Sequence, residues 1–276
     1  MDKNINDIDG FSFVENKLPF WQRSLIRVIE YTTGKRKLTK IYQKIIDQDD
    51  TGLSFWDRAV AQLDLQIKIN GNPIESIPKS GSLLVVANHP FGQIDGLVLG
   101  YILEKIRPDF KLVAWDILHA SNYFKEVILP ISFKDEYASK RSNFLTLKDS
   151  IKHLKQGKAI AIFPAGETAL SKGFLGKATD AQWKKFTSKI VKATGTPVLP
   201  VFFHGQNSRL FQIIGNFNYN LKLSMFFHEI CNMIGKDVYM TIGSILKHSD
   251  YGIANDEDDL INFLYNETKK LSLQPI

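Results

Sequence analysis

The sequence contains little cysteine, no long uninterrupted apolar stretch and no start typical of an exported protein. Cys231 is the single cysteine in 276 residues, which excludes an internal disulfide framework and indicates a reducing compartment. No window approaches the roughly 18 apolar residues that a membrane-spanning helix needs. Residues 1–10 include acids and lack the apolar core of a secretory signal. These absences predict a cytoplasmic chain.

The charge balance is basic. A formal net charge of +6 and a pI near 9.1 favour acidic partners: anionic lipid headgroups, an acidic carrier protein, the phosphates of a nucleotide-like carrier, or nucleic acid. Nucleic acid is the least favoured of these, because there is no arginine-rich arm, zinc-finger spacing or aromatic RNA-binding signature. A basic protein with no specific anionic partner remains an equal alternative.

Helical spacing of apolar residues begins at Phe20 and returns after Lys37, which predicts a helical hairpin. Ser54 and Asp57 resemble a capping box that starts a third helix. Bulky apolar residues flanked by basic ones are typical of a helix at a membrane interface. Helices docked on the protein's own core fit the periodicity equally well. We assign residues 1–66 to this leader and hairpin, and residues 67–276 to an α/β domain.

Strand and helix patterns alternate beyond residue 70. A helix ending near Gly157 is expected, then one capped by Asp180 that carries Trp183 inward and ends at Gly195, and a last one beginning at Asn255 or Asp256. This alternation predicts an α/β fold with a mostly parallel central sheet flanked by helices. The strands are expected at 83–87, 111–114, 127–131, 159–163, 198–203 and 238–242.

Three segments at the ends of apolar strands, 88–95, 163–168 and 197–208, are the candidate site. Ligands gather at such carboxyl-end loops in open α/β sheets. In the first loop, His89 comes two residues after the last residue of a predicted buried strand, and Asp95 stands at the start of the next predicted helix. The carboxylate can then fold back onto one ring nitrogen while the other takes a proton from a hydroxyl. The segment therefore predicts a histidine–aspartate base pair without a serine nucleophile.

Together, the three loops resemble the glycerolipid (lysophospholipid) acyltransferase superfamily. The resemblance rests on Val-Ala-Asn-His-Pro-Phe-Gly at 86–92, Phe-Pro-Ala-Gly-Glu at 163–167 and Pro-Val-Leu-Pro-Val at 197–201. It covers roughly residues 20–245. The wording is closest to a bacterial hemolysin-like branch that includes ornithine-lipid O-acyltransferases.

The departures from the superfamily pattern concern the acceptor. His89 and Asp95 are separated by one residue more than usual, and the acid of the second motif has moved to Glu167 without its adjacent arginine. The basic block that usually serves a glycerol phosphate is not evident; the nearest basic residues are Lys134, Lys140 and Arg141. These differences favour a lyso-aminolipid, such as lyso-ornithine lipid, over lysophosphatidate.

The resemblance implies an O-acyltransferase in which His89 deprotonates the acceptor hydroxyl as it attacks an acyl thioester and Asp95 fixes the imidazole tautomer. Acyl-carrier protein or acyl-CoA would be the co-substrate, with no cofactor and no metal. The expected location is the inner face of the cytoplasmic membrane, peripherally bound. Gly166 and nearby N–H groups are expected at the oxyanion or headgroup, and Arg141 or Lys172 at anionic groups. The full set of expected substrate-binding residues is Asn88, Phe91, Gly92, Pro164, Gly166, Glu167, Arg141, Lys172 and Asn207.

For some of these residues a structural role fits the sequence as well as a functional one, or better. Glu167 fits a site residue or a helix cap, Asn207 is more readily a turn residue than a ligand contact, and His204 is more readily structural than a second base. His228, Glu229 and Cys231 lack a matching ligand pair for zinc. Two other functions stay open: a lysophosphatidate acyltransferase, and a non-catalytic, hemolysin-like membrane-binding protein.

Overall fold

The computed structural model describes residues 19–48, 52–116, 124–132, 137–173, 176–252, 254 and 256–274. It opens with the expected helical hairpin, formed by α1 (Phe20–Thr32) and α2 (Lys35–Asp47), followed by α3 (Phe55–Gln62). Ser54 caps α3 as predicted, because its hydroxyl accepts a hydrogen bond from the backbone N–H of Asp57 at 3.1 Å. In the described part of the chain, no helix is both long enough and apolar enough to cross a bilayer.

Seven strands form the central sheet of the described chain: β1 (Gln66–Gly71), β2 (Leu83–Ala87), β3 (Lys111–Trp115), β4 (Ile128–Ile131), β5 (Ala159–Ile162), β8 (Val198–Phe203) and β9 (Asp237–Ile242). A short separate hairpin joins β6 (Leu170–Ser171) to β7 (Ala178–Thr179). The order in the central sheet is β1-β9-β8-β2-β5-β3-β4. Neighbouring strands are parallel except β8 and β9, so the predicted mostly parallel sheet is confirmed.

Helices cover both faces of this sheet. Side chains of β2 alternate between two cores: Leu83 and Val85 pack on the side of α3, while Leu84 packs on the opposite side, with the C-terminal helices. The remaining helices are α4 (Gln93–Ile106), α5 (Tyr137–Lys155), α6 (Lys185–Thr194), α7 (Arg209–Phe217), α8 (Tyr219–Ser224), α9 (Phe226–Met233), α10 (His248–Tyr251) and α11 (Glu257–Lys270), with 3₁₀ turns at Ile74–Ser76 and Leu271–Leu273.

The second helix of the hairpin docks on the body of the protein. Leu38 and Ile41 of α2 pack against the core on the α3 and α4 side of the sheet. The first helix is different, since Phe20, Trp21 and Val28 of α1 are largely exposed. The opposite face of α1 is docked, because Ile26 and Glu30 are buried there. A membrane contact of the exposed face stays a prediction. The predicted division after residue 66 falls at the start of β1 and stays a prediction.

Most expected boundaries agree with the structure within a residue or two. The six expected strands are all present, α5 ends just before Gly157, and Asp256 caps α11 through the N–H groups of Asp258 and Asp259. Asn255, the other expected start, lies outside the described residues. The sequence analysis missed β1, although Ile67 and Ile69 alternate with polar residues there. It also missed the helices α7, α8 and α9 between β8 and β9.

The expected cap at Asp180 is wrong. Helix α6 begins at Lys185, five positions later, although it ends before Gly195 as predicted. Asp180 Oδ2 accepts instead from the indole Nε1 of Trp183 at 2.9 Å, and Oδ1 accepts from the backbone N–H of His89 at 3.0 Å. Trp183 is therefore buried just before α6 rather than within it.

Candidate active site

The three loops of the candidate site meet at one edge of the sheet. Strands β5, β2 and β8 are neighbours and run parallel, with Val86 opposite Ile162 and Ala87 opposite Val201. Parallel strands have their carboxyl ends on the same side. The loops that follow residues 87, 162 and 203 are therefore brought together, as the sequence predicted.

His89 and Asp95 are paired in this edge. His89 Nδ1 lies 3.1 Å from Asp95 Oδ2, and Asp95 is fully buried. The same oxygen accepts from the backbone N–H groups of Phe91 at 2.8 Å and Gly92 at 3.0 Å. Burial raises the pKa of Asp95, while the imidazole of His89 and the two backbone donors oppose that rise. The carboxylate thus holds the turn and the imidazole at once, and leaves Nε2 as the other ring nitrogen.

Gly92 fits between neighbours that leave no room for a side chain. It has a φ of +77°, and a Cβ there would lie 3.0 Å from both the ring of Phe226 and the hydroxyl of Thr168. Only glycine adopts this conformation without strain. Phe91 is buried against Gly205 of the third loop. Both residues therefore shape the turn, and a direct contact of either with substrate stays a prediction.

Two long-range backbone contacts fix His89 itself. Its N–H donates to Asp180, and its carbonyl accepts from the N–H of Ala169 at 2.9 Å. The imidazole stacks on the ring of Phe163, with centroids 4.0 Å apart and planes inclined by 23°. Burial raises the pKa of Asp180, opposed chiefly by the bond from the His89 backbone. The sequence did not link Asp180 to His89, because the two residues lie 91 positions apart in the chain and Asp180 has the pattern of a helix cap.

Asn88 bridges two loops rather than pointing at a substrate. Its side-chain amide donates to the carbonyl of Phe203 at 2.9 Å and accepts from the N–H of the same residue at 2.6 Å. Asn88 does not belong to the lining of the cavity that His89 faces. The amide thus fastens the end of β2 to the end of β8, and the expected role of Asn88 in substrate binding stays a prediction.

The second loop contributes Pro164, Gly166 and Glu167 to the neighbourhood of His89. Gly166 has a φ of +72°, and its N–H donates to the carbonyl of Phe163 at 3.0 Å. That N–H is therefore already engaged in the turn, against the expectation that it faces an oxyanion. Glu167 is not a helix cap: its Oε2 lies 3.0 Å from the ammonium of Lys222, which sits on α8.

An apolar cavity of about 430 Å³ opens at these loops. Its size is that of a small-molecule site. Ring and aliphatic side chains from the α2 and α3 helices, the sheet and α9 form most of its wall, among them Ile41, Tyr42, Phe55, Trp56, Leu97, Leu112, Phe124, Phe163, Phe227 and Ile230. His89, Gly92, Pro164, Gly166 and Glu167 lie in the same wall. The imidazole of His89 therefore lies in the wall of a mainly apolar cavity.

The structure does not bring Arg141, Lys172 or Asn207 to this cavity. Arg141 on α5 and Lys172 after β6 are exposed and lie outside the lining, as does the buried Asn207. The sequence analysis expected Arg141 and Lys172 at anionic groups only because of their charge and their position in the chain. Among the described lining residues the cations are Lys35, Lys184 and Lys222, and the single carboxylate is that of Glu167.

His204 and Glu229, for which a catalytic or metal-binding role was not favoured, each have a specific hydrogen-bond partner. His204 follows β8 and lies 2.7 Å from the hydroxyl of Thr241 through Nε2. Glu229 accepts from both the N–H and the hydroxyl of Ser208, at 2.8 and 2.6 Å, so it anchors the start of α7. Over the described parts of the chain, no three His, Cys, Asp or Glu side chains are grouped as metal ligands.

Comparison with known proteins places this site in a family. The family described as acyltransferase matches residues 63–273, which include all three loops and most of the chain. The chain belongs to this acyltransferase family. The expected membership of the glycerolipid acyltransferase superfamily is thereby confirmed, and with it acyltransferase activity; the non-catalytic alternative is disfavoured.

Two curated relatives are lyso-glycine lipid O-acyltransferases. The protein of Phocaeicola vulgatus is 28% identical over 204 residues, 71% of this chain and 70% of its own length. That of Bacteroides thetaiotaomicron is 31% identical over 175 residues, 61% of this chain and 59% of its own, a little under two thirds. The crystal structure of the 1-acyl-sn-glycerophosphate acyltransferase PlsC from Thermotoga maritima has a similar fold, with a TM-score of 0.51 and 19% identity over 91% of this chain and 87% of that one.

Proposed function

We propose that the protein transfers a fatty acyl group from an acyl thioester to the hydroxyl of a lyso-aminolipid. The observation that carries the proposal is the His89–Asp95 pair, 3.1 Å apart, in the wall of an apolar cavity. A fatty chain needs an apolar chamber, and a hydroxyl nucleophile needs a base within reach. The two curated relatives, both named for O-transfer to a lyso-glycine lipid, support this acceptor class.

In the proposed reaction, His89 Nε2 takes the proton of the acceptor hydroxyl as its oxygen attacks the thioester carbonyl carbon. The C–S bond then breaks, and the thiolate leaves and takes up the proton from the imidazolium. Asp95 holds Nδ1 and stabilises the transient positive charge. Because a thiolate is a good leaving group, the step uses no covalent acyl-enzyme, metal or cofactor. Acyl-carrier protein or acyl-CoA serves as co-substrate.

The acceptor is best tested with a panel of lysolipids. Purified protein would be incubated with labelled acyl-carrier protein or acyl-CoA and with lyso-glycine lipid, lyso-ornithine lipid or lysophosphatidate. We expect transfer to an aminolipid with either donor, and less to lysophosphatidate, since the described lining of the cavity contains no arginine for a phosphate. Exclusive use of lysophosphatidate would reject the acceptor class and leave the phosphatidate-forming alternative. Transfer to none of them would reject the proposed function.

We further propose that the protein binds the inner surface of the cytoplasmic membrane through α1. Phe20 is 78% exposed and Trp21 is 64% exposed, beside the basic Arg27 on the same helix. Exposed aromatic and basic side chains suit an anionic bilayer interface. Since α2 lines the cavity, deletion of the whole hairpin would remove part of the site, so point substitutions give the sharper test.

Replacing Phe20 and Trp21 together by Ser should weaken sedimentation with anionic vesicles while transfer to a detergent-dispersed acceptor persists. Tyr137→Ser, at an equally exposed aromatic on α5, is the matched control and should retain vesicle binding. Unchanged vesicle binding of the double variant would reject this membrane contact.

A further inference from the structure

Lys222 is a buried cation in the wall of the cavity that His89 lines. Only 2% of the residue is exposed, and its ammonium lies 3.0 Å from Glu167 Oε2 and 5.0 Å from the centre of the Tyr219 ring. Its aliphatic stem lies against Gly215, where a Cβ would come within 3.1 Å of Lys222 Cδ. The ammonium is therefore held in place by its surroundings.

The carboxylate partner is held less firmly than the cation. The side chain of Glu167 is 41% exposed, whereas that of Lys222 is 3% exposed. Glu167 can turn toward water at little desolvation cost, but Lys222 would then remain a buried, unpaired charge, which is strongly unfavourable. The site is consequently built to accept another anion when Glu167 leaves.

The second loop connects the ion pair of Glu167 and Lys222 to His89. Ala169 donates its N–H to the carbonyl of His89, and Glu167 is two residues earlier in the same loop. Thr168, between them, lies against Gly92. The anion position at Lys222 is thus tied to the base through one short, hydrogen-bonded segment.

We propose that Lys222 binds a carboxylate in the acceptor's headgroup, which displaces Glu167. This rests on the proposed function. One carboxylate replaces another, so the exchange keeps the charge of the site constant, whereas a dianionic phosphate monoester would add an uncompensated negative charge beside a single buried ammonium. The acceptor class is a lipid with an amino acid attached through its amine, because that linkage leaves the carboxylate free.

The test uses a fatty-acyl glycine without a hydroxyl, which binds but cannot react, and its methyl ester. Calorimetry with the wild-type protein should show binding of the acid at least about 10-fold tighter than that of the ester. Lys222→Met, similar in length but uncharged, should bring this ratio to about one. Lys189→Met, at an exposed lysine of α6 outside the cavity, removes the same charge and should retain the ratio.

Glu167→Gln provides a second measurement that does not depend on the folding of Lys222→Met. Since this variant removes the competing carboxylate, it should bind the acid more tightly than the wild type does. Equal affinity of the wild type for acid and ester, an unchanged ratio in folded Lys222→Met, or no gain in Glu167→Gln would each overturn the proposal, as would tighter binding of a matched phosphate monoester. Failure of the proposed function is separate, because it would appear as no acyl transfer while this binding persisted.

Discussion

The side chain of Asn88 forms a two-way hydrogen bond with the backbone of Phe203, donating at 2.9 Å and accepting at 2.6 Å. The two residues lie 115 positions apart, at the ends of neighbouring parallel strands. The amide therefore sets the position of His89, the next residue, relative to the third loop. The position of His89 thus depends on a residue that lies outside the lining of the cavity.

Asn88→Asp should destabilise the protein by about 1–3 kcal/mol, because it replaces the donor by a carboxylate oxygen facing the carbonyl of Phe203. Urea denaturation measures the change. Asn72→Asp, at a more exposed amide with a weak 3.4 Å contact to Ser244, is the control and should cost much less. Equal losses in the two variants would contradict the bridging role of Asn88.

Asp180 should support both the fold and the base. Asp180→Ala removes the acceptor of the His89 N–H and of the Trp183 indole, while Asp180→Asn keeps one acceptor. We expect the free energy of unfolding to fall by about 1–3 kcal/mol for each lost acceptor, and less in Asn than in Ala. The turnover rate at saturating acceptor should also fall more in Asp180→Ala than in Asp180→Asn, because the backbone N–H of His89 loses its acceptor. Wild-type stability and turnover in Asp180→Ala would show that these bonds have no such role.

The sequence located the histidine–aspartate pair because the whole device is local: one strand, one turn and the first turn of one helix. Asp180 and Lys222 could not be found in the same way, since each reaches the site through tertiary packing. Asp180 precedes α6 and has the appearance of a cap, and Lys222 lies in the three helices between β8 and β9 that the sequence analysis did not assign. Glu167 was identified, but its cationic partner was not.

The difference between local sequence and tertiary packing also explains why Arg141 and Lys172 were expected at the site but lie outside the cavity. Arg141 and Lys172 follow strands in the chain, and their charge made them candidates for an anion site. Whether a lysine faces a cavity depends on which helix covers the loops, and hydrophobic periodicity does not report that. Strand positions were predicted well, because buried β-branched runs between helices are distinctive.

Trp56 and Gly100 should be energetically coupled. A Cβ on Gly100 of α4 would overlap the indole ring, 2.6 Å from its Cε3 atom. Gly100→Ala should therefore destabilise the protein by about 1–3 kcal/mol, reduced by the better helix propensity of alanine. In a Trp56→Leu background the overlap is removed, so the same substitution should be neutral or stabilising. A double-mutant cycle by thermal unfolding measures the coupling, and additive effects would contradict the contact.

Acid should destabilise the protein through His204. Burial lowers the pKa of His204 below its usual value of 6.5, so the unfolded chain binds the proton more tightly than the folded protein does. This contribution to stability is present above about pH 6.5 and is lost as the pH falls toward the lowered pKa. Burial also lowers the pKa of His153, which adds to the same slope. In His204→Gln, the loss of unfolding free energy between pH 7.5 and about 5.5 should be smaller; an unchanged slope would exclude His204 as its source.

The central claim is that His89 is the base for transfer of an acyl group to a hydroxyl. The most direct measurement is the kcat/KM of purified His89→Ala for the acceptor found in the lysolipid panel, with His248→Ala, outside the cavity lining, as the control and thermal unfolding to verify both folds. We predict a loss of about 10²–10⁴-fold in His89→Ala and near wild-type transfer in the control. Full activity of correctly folded His89→Ala protein would contradict the account.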